Sequence, residues 1–501
     1  MSVLYEPEAL ALTVHGIFGI DMGISNRGLW GNPEDFPMSE TAQLLTIAQT
    51  LFPELNLGDC RRNKRFEKVV QALADNPGAS FPEVFPNRSD YNACLNLFNA
   101  KECSHENILG AHQESVLNRM EAHSGPVLLL HDATFFDFSG HTTLEDDLGP
   151  IGNGGGRGWL AHQTLAVNPA NRMVFGLVSQ VMHIRVPLPK GELVRARRKR
   201  IDRESRLWIK GLKEVGPTPV GCNWIQLGDR GADIYEFLQV MVDGGCQFIV
   251  RSCNSRALGS GPTELKAKEL LHDRMRSLPA TASWELEIPA RAKQLGRIAH
   301  MSAVSERVVL RQPHVQKGLF RKEPLELNVV RAWESAPPDS VEPLEWLLLT
   351  SEPVSTPDEI KKVCDWYSCR MQIEEYHKVQ KSGVGVENYQ VQSVKKMAAL
   401  IAILSVVAVA LMNLRLAARN PTLANLPAEE FVPKTWVVVL KRMVKSKNKN
   451  WTVTEFWVNL ARLGGYQKNP AHHPPGWITL WRGWKKLIPI IRYHMSIEKM
   501  P

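Results

Sequence analysis

Val127–Phe138 reads VLLLHDATFFDF, an apolar run entered from Gly125-Pro126 and closed by an aspartate, Asp132. Four apolar residues in a row, bounded by turn formers, predict a strand buried on both faces. A carboxylate at the end of such a strand either meets a cation, caps a turn, or suffers a costly burial. Asn223–Asp229 reads NWIQLGD and repeats the arrangement, with Asp229 in the place of Asp132.

Between these two stretches, LAHQTLAV (160–167) and MVFGLVSQV (173–181) flank the turn-forming Asn168-Pro169-Ala170-Asn171, and a helix is expected near Trp208. After Asp229 come a helical ADIYEFLQVM (232–241) and a strand FIVRS (248–252). Three antiparallel strands, helix, strand, helix, strand is the succession of a ribonuclease-H-like α/β fold. Its first and fourth strands lie side by side, which brings Asp132 and Asp229 to one point.

Four alternating segments, SWELEIPA, SERVVLR, LELNVVRAWE and EWLLLT, predict a β-rich insertion over about 253–350. From Pro357 the pattern is helical to roughly Ala418, which closes a catalytic domain of 125–418. Upstream, LGDCRRNKRFEKVVQALAD (57–75) places Phe66, Val69, Val70 and Leu73 on one stripe and opens a helical domain of 53–124. Residues 1–52 read as an irregular leader, and 419–501 as a C-terminal region rich in aromatics near Trp477, Trp481 and Trp484.

Within the helix after Pro357, Tyr367, Arg370, Glu374 and Lys381 stand at offsets of 0, 3, 7 and 14. At ~3.6 residues per turn those positions share one face. A polar helix face is most often only solvated, but this one lies where the third carboxylate of such a fold belongs. Three converging carboxylates bind hard divalent cations, Mg²⁺ with Mn²⁺ as a substitute. Two ions together activate the attacking oxygen and stabilise the leaving one in an in-line phosphoryl displacement.

Composition narrows the field further. Sixty Lys and Arg against 52 Asp and Glu give a net charge of +8 and a pI near 9.0, a field that attracts a polyanion. Eight cysteines without a CxxC pair argue against a zinc frame or a disulfide scaffold and fit a reducing cytoplasm. The apolar stretch Leu10–Ile20 has no basic start and acidic neighbours, so no signal peptide is expected. Ala398–Met412 is shorter than the roughly 20 residues of a bilayer crossing and reads as a buried core helix. GNGGGRGW, from Gly152, lacks the strand and helix of a nucleotide loop and reads as a plain loop. The basic runs RARRKR from Arg195 and KRMVKSKNK from Lys441 are candidate DNA tracks.

The string YSCRMQIEEYHKVQKSGVGVE (367–387) carries Y-x2-R-x3-E-x6-K and resembles the signature of the insertion-sequence-four family of DDE transposases, the relatives of the Tn-five enzyme. LLLHDATFFDFSG and LGDRGADIYEFL resemble that family's two aspartate blocks, and LEWLLLTSEPV and ARLGG stand where the family carries similar segments. The likeness runs from about Leu57 to Trp484. It implies that Asp132, Asp229 and Glu374 bind two metal ions and that Arg370 and Lys381 hold phosphates near the transferred end. It further implies that Tyr367 positions that end and that a base flipped out of the duplex stacks on Trp346. Arg61, Arg62 and Arg65 match a GD-x-RR-x-x-R segment of the end-binding domain.

The implied partners are the terminal inverted repeats and target DNA, with a homodimer in the DNA complex, no membrane, and a cytoplasmic, nucleoid-associated setting. Departures are Ala133 where relatives carry threonine, Gly231 where a glutamate is common, and less C-terminal helix after LWRGWKKLIPIIRYH than the family uses to pair subunits. Two other functions remain open from sequence: an end-binding relic or inhibitor that cuts poorly, and a ribonuclease-H-like nuclease acting on branched DNA.

Overall fold

The computed structural model describes residues 47–186, 191, 200, 202–259, 269–288, 296–312, 324–339, 341–419, 424–432, 434–467 and 474–498. Residues 1–46 of the expected leader and Arg195–Lys199 of the first basic run lie outside them. The last residues of that leader are helical, because α1 spans Ile47–Leu51. Four helices follow: α2 (Cys60–Asp75), α3 (Phe81–Val84), α4 (Arg88–Leu97) and α5 (His105–Glu121). Asp59 starts α2 by accepting the backbone N–H groups of Arg61 and Arg62, and the stripe Phe66, Val69, Val70 and Leu73 is buried.

The sheet begins with β1 (Val127–Asp137), β2 (Gly149–Ile151), β3 (Gly156–Val167) and β4 (Val174–His183). After α6 (Leu207–Val215) come β5 (Trp224–Gly228), α7 (Tyr235–Asp243) and β6 (Gln247–Arg251). The segment expected to form a β-rich insertion contains α8 (Leu271–Ser277), β7 (Ala282–Ile288), β8 (Arg297–Leu310), β9 (Leu325–Glu334) and β10 (Glu345–Thr350). These strands form no separate layer. Among the described residues one ten-stranded sheet runs β2-β3-β1-β5-β6-β10-β9-β8-β7, with β4 also on β3, so the insertion prolongs the core sheet through the β6–β10 pair. The strands β1, β5 and β6 are parallel and the other pairings antiparallel. Of GNGGGRGW, expected as a plain loop, only residues 152–155 turn between β2 and β3, with Gly152 and Gly154 at φ 55° and 93°, a backbone conformation that costs other residues strain, while residues 156–159 open β3.

The C-terminal third is helical: α9 (Pro357–Ser368), α10 (Met371–Lys378), α11 (Val394–Ala417), α12 (Ala428–Phe431), α13 (Lys434–Met443), α14 (Val453–Leu463) and α15 (Trp477–Glu498). The region expected to be helical from Pro357 to roughly Ala418 is helical in three pieces, α9, α10 and α11. A turn at Cys369–Arg370 separates α9 from α10, a π-turn at Val379–Gly383 follows α10, and a short 3₁₀ turn at Val386–Asn388 precedes α11. Apolar all round, α11 passes the length and hydropathy test for a membrane span, yet 94% of its most apolar stretch is buried within the protein. It is the central core helix, longer by nine residues than its apolar run.

Side-chain alternation along the strands sorts the core into two faces. Leu128 and Leu130 of β1, Ile225 and Leu227 of β5, and Ile249 of β6 join the large cluster containing α9, α10 and α11. On the opposite face Phe248 and Val250 meet Trp208 and Phe237 of α6 and α7, while Val127, Leu129 and Trp224 meet Val116 and Met120 of α5.

Candidate active site and DNA-binding region

Asp132 and Asp229 stand at one level of adjacent parallel strands, because His131 is the last β1 residue paired with β5 and its partner is Gly228. The sheet does not end at Asp132. Strand β1 continues to Asp137 through its pairing with β3, where Asp132 faces Gln163, so Asp132 lies mid-strand at the point where β5 turns away. By alternation Asp132 extends the Leu128–Leu130 face, Asp229 the Ile225–Leu227 face, and Arg251, one residue past the Gly228–Val250 pair, the Ile249 face. All three project toward the helices α9 to α11. The crevice outside the carboxyl ends of parallel strands is the usual place for a ligand in an open α/β sheet.

Asp229 caps the 3₁₀ turn Arg230–Ala232, with its Oδ1 accepting the Gly231 N–H at 2.8 Å. A side chain at 231 would begin 3.0 Å from that oxygen and 3.2 Å from the Trp208 ring, which accounts for glycine there. Asp132 Oδ1 accepts the Ala133 N–H at 2.8 Å. Burial, and then the charge of Asp229, push the Asp132 carboxyl up to about 6. A buried carboxyl raised by a neighbouring carboxylate favours a cation beside it.

Arg370 supplies a cation beside Asp132, on the side of Glu374. Arg370 lies in the turn between α9 and α10, its Nη1 is 3.7 Å from Asp132 Oδ2, and its Nη2 is hydrogen-bonded to Glu374 Oε1. His377, one turn beyond Glu374, places Nδ1 3.9 Å from Asp132 Oδ2, and burial, then Lys381 and Arg370, push its pKa down to about 3. Among the described residues no three carboxylate, imidazole or thiol groups stand close enough to hold a metal ion as they are. The donors nonetheless suit a hard divalent ion: they are carboxylate oxygen atoms, and burial, then the charge of Asp229, already drives Asp132 toward protonation.

The other expected site residues fall into two groups. Tyr367, near the end of α9, is buried and meets the half-buried Trp346 of β10 edge to face, with ring centroids 5.6 Å apart. Arg251 donates to the Glu345 carbonyl at 3.0 Å, which ties β6 to the strand of Trp346, and its charge acts on the Tyr367 hydroxyl. Lys381 lies on the π-turn that follows α10, and its Nζ is 3.7 Å from Glu387 Oε1, which also accepts the Asp137 backbone N–H. Arg370 bonds Glu374, and both Arg370 and Lys381 act on His377, although a turn and a π-turn interrupt the helix on either side of α10.

Beyond Asp229, a cleft of about 190 Å³ is lined by Arg230, Arg251, His272 and Arg276, with Glu345 paired to Arg276 at 2.8 Å. Sequence reasoning missed Arg251 and His377. Arg251 occupies on β6 the level of Asp229 on β5, and His377 stands three residues after Glu374, so strand register and helix spacing respectively would have flagged them.

In the N-terminal helices Arg62 pairs with Glu102 at 2.9 Å and donates to the Leu57 carbonyl, while Arg65 pairs with Asp90 at 2.7 Å. Arg61 is exposed and makes no side-chain hydrogen bond or ion pair among the described residues, and Lys64 and Lys68 share its solvent face on α2. The run from Lys441 is exposed only in part, since Lys441 lies over the Trp451 ring and donates to the Lys449 carbonyl. Residues 46–103, which contain α1 to α4, match the family described as transposase DNA-binding. The match supports a transposase that binds DNA, with a DNA-binding domain at the N-terminus of a mixed α/β chain.

Proposed function

We propose that this chain is a DDE transposase of the insertion-sequence-four type, with a ribonuclease-H-like core, that excises and inserts a DNA element. The observation that carries the proposal is the placement of Asp132 and Asp229 at one level of adjacent parallel strands, with Glu374 joined to Asp132 through Arg370. The transposase DNA-binding match at 46–103 supports it independently.

In this reading the N-terminal helices hold the terminal inverted repeat and the strand-end crevice receives the scissile phosphate. Asp132, Asp229 and Glu374 would hold Mg²⁺ or Mn²⁺, two ions to a site. When bound, such ions lower the pKa of the attacking water or 3′-hydroxyl and stabilise charge on the leaving oxygen. The neutral His377 packs beside the Asp132 carboxylate, and in the DNA-free protein the guanidinium of Arg370 lies against it. Arg230, Arg251 and Arg276 line a basic cleft for the phosphates of the strand that bends away from the cut. Trp346, held from one side by Tyr367, offers its ring to a base turned out of the stack, as tight bending into a hairpin requires. Strand nicking, hairpin formation by the freed 3′-hydroxyl, hairpin opening and joining to target DNA then follow as successive phosphoryl transfers at one site. The protein acts as a homodimer on paired ends, in the bacterial cytoplasm, where its eight free cysteines stay reduced.

The test in cells is excision of a marked element, bounded by its own terminal repeats, from a donor plasmid. Wild-type protein is expected to release the element and Glu374→Ala to leave the plasmid intact. Equal excision by both proteins overturns the proposal.

A further inference from the structure

Arg370 occupies a place that the proposed metal site needs. Its side chain is 13% exposed, it enters from the turn between α9 and α10, and it contacts Asp132 on the sheet and Glu374 on α10 at once. Asp132 Oδ2 and Glu374 Oε1, the two oxygens it faces, belong to two of the three carboxylates that would hold a divalent ion. A guanidinium and a metal ion cannot both sit against the same pair of oxygens, so each lowers the affinity of the site for the other, and by equal factors. A DNA phosphate changes the balance, because it gives the guanidinium a bidentate partner of its own. The basic cleft lined by Arg230, Arg251 and Arg276 lies on the Asp229 side of the site and directs such a phosphate toward it.

We propose that Arg370 is a built-in counter-ion latch: it closes the acidic site in the DNA-free protein and yields it to the divalent ion only when a DNA phosphate draws the guanidinium away. Metal loading is thereby made conditional on the presence of substrate, and water-activating chemistry is withheld from a protein without an end to cut. The inference rests on Asp132, Asp229 and Glu374 being the metal ligands.

The test is Mn²⁺ binding to the full chain, read from the paramagnetic resonance signal of free Mn²⁺, with and without a terminal-repeat duplex ended in a 3′-dideoxynucleotide. Wild type is expected to bind Mn²⁺ weakly alone and about tenfold more tightly with the duplex, a coupling of ordinary size. Arg370→Gln is expected to bind Mn²⁺ about tenfold more tightly than wild type without DNA and to gain little on adding it. Arg370→Lys, which keeps a cation in the turn, is expected to stay close to wild type. Equal or weaker Mn²⁺ binding by a folded Arg370→Gln overturns the latch while the metal site stands. Undiminished Mn²⁺ binding by Asp229→Ala, or none by wild type even with the duplex, overturns the metal-site reading and the latch with it.

Discussion

Trp346 meets Tyr367 edge to face at 5.6 Å, and Arg251, on the next parallel strand after Asp229, donates to the carbonyl of the adjoining Glu345 at 3.0 Å. The tryptophan is thus braced on its inner side and half-buried, while its neighbour Glu345 lines the basic cleft. Stacking of a base on such a ring is worth about 1–3 kcal/mol. Trp346→Ala should leave binding of the terminal repeat within about twofold of wild type and lower hairpin yield by roughly tenfold, with Trp346→Phe between the two. A 2-aminopurine placed next to the cut reports the turned-out base directly. Wild-type hairpin formation by Trp346→Ala would remove the ring from the mechanism.

Of the three arginines at the start of α2, two are spent within the domain. Arg65→Ala breaks the pair with Asp90 and should lower the stability of the folded protein by no more than about 1 kcal/mol, as exposed pairs do. Arg61→Ala should leave stability unchanged and weaken DNA binding, reducing the slope of log affinity against log salt by about 0.9, the signature of one lost phosphate contact. Thermal unfolding and a salt titration separate the two effects, and a salt slope altered by Arg65→Ala but not by Arg61→Ala would reverse the assignment.

His112 uses both ring nitrogens in its neutral form: Nδ1–H donates to the Leu51 carbonyl at 2.8 Å and Nε2 accepts the Leu177 N–H at 3.3 Å. Burial pushes its pKa down to about 3 from 6.5. Between those values the unfolded chain takes up a proton that the folded one refuses, so this contribution is full above 6.5 and is lost as the pH falls below it. Stability should drop by roughly 1 kcal/mol per pH unit through this group between pH 6 and 4. Urea unfolding across that range checks it, and His112→Gln should show a shallower dependence than wild type.

Ser405 is one of the few polar groups in the interior of α11, and its Oγ accepts Gln180 Nε2 and Gln380 Nε2, both at 2.9 Å. Gln180 also bonds His105 of α5 at 3.0 Å, and Gln380 stands beside Lys381 on the π-turn. A buried chain of hydrogen bonds therefore joins the helix after the DNA-binding match to the segment after Glu374. Ser405→Ala leaves two buried amides short of a partner and should cost about 1–3 kcal/mol. It should also slow cleavage more than it weakens end binding. A variant destabilised to that extent with an unchanged cleavage rate would make the network structural only.

What the sequence made legible was what depends on period and composition. The apolar runs at Val127–Leu130 and Trp224–Leu227 are strands because both their faces are buried, and α11 is a core helix because it is apolar on every side. The acids at the ends of those runs stood out for the same reason. Less legible was what depends on pairing and local backbone. The insertion strands carry the alternation of a half-exposed sheet, but nothing in that pattern says that β10 pairs with β6 and continues the core. The breaks around α10 fall at residues of ordinary helical propensity, Cys369 and Arg370 on one side and Val379 to Lys381 on the other. They arise from packing, and π-turns often mark functional segments. Helix spacing alone gave no sign of these breaks, nor that Arg370 would sit between two of the acids.

Strand cleavage of a labelled duplex carrying the element's own terminal repeat, in Mg²⁺, tests the central claim most directly when DNA affinity is measured in parallel. Wild type should give nicked and hairpin products, and Asp132→Ala, Asp229→Ala and Glu374→Ala should each bind the duplex comparably yet cleave at background. Specific binding without cleavage by wild type in Mg²⁺ or Mn²⁺, or cleavage that survives loss of any one of the three acids, would contradict the account.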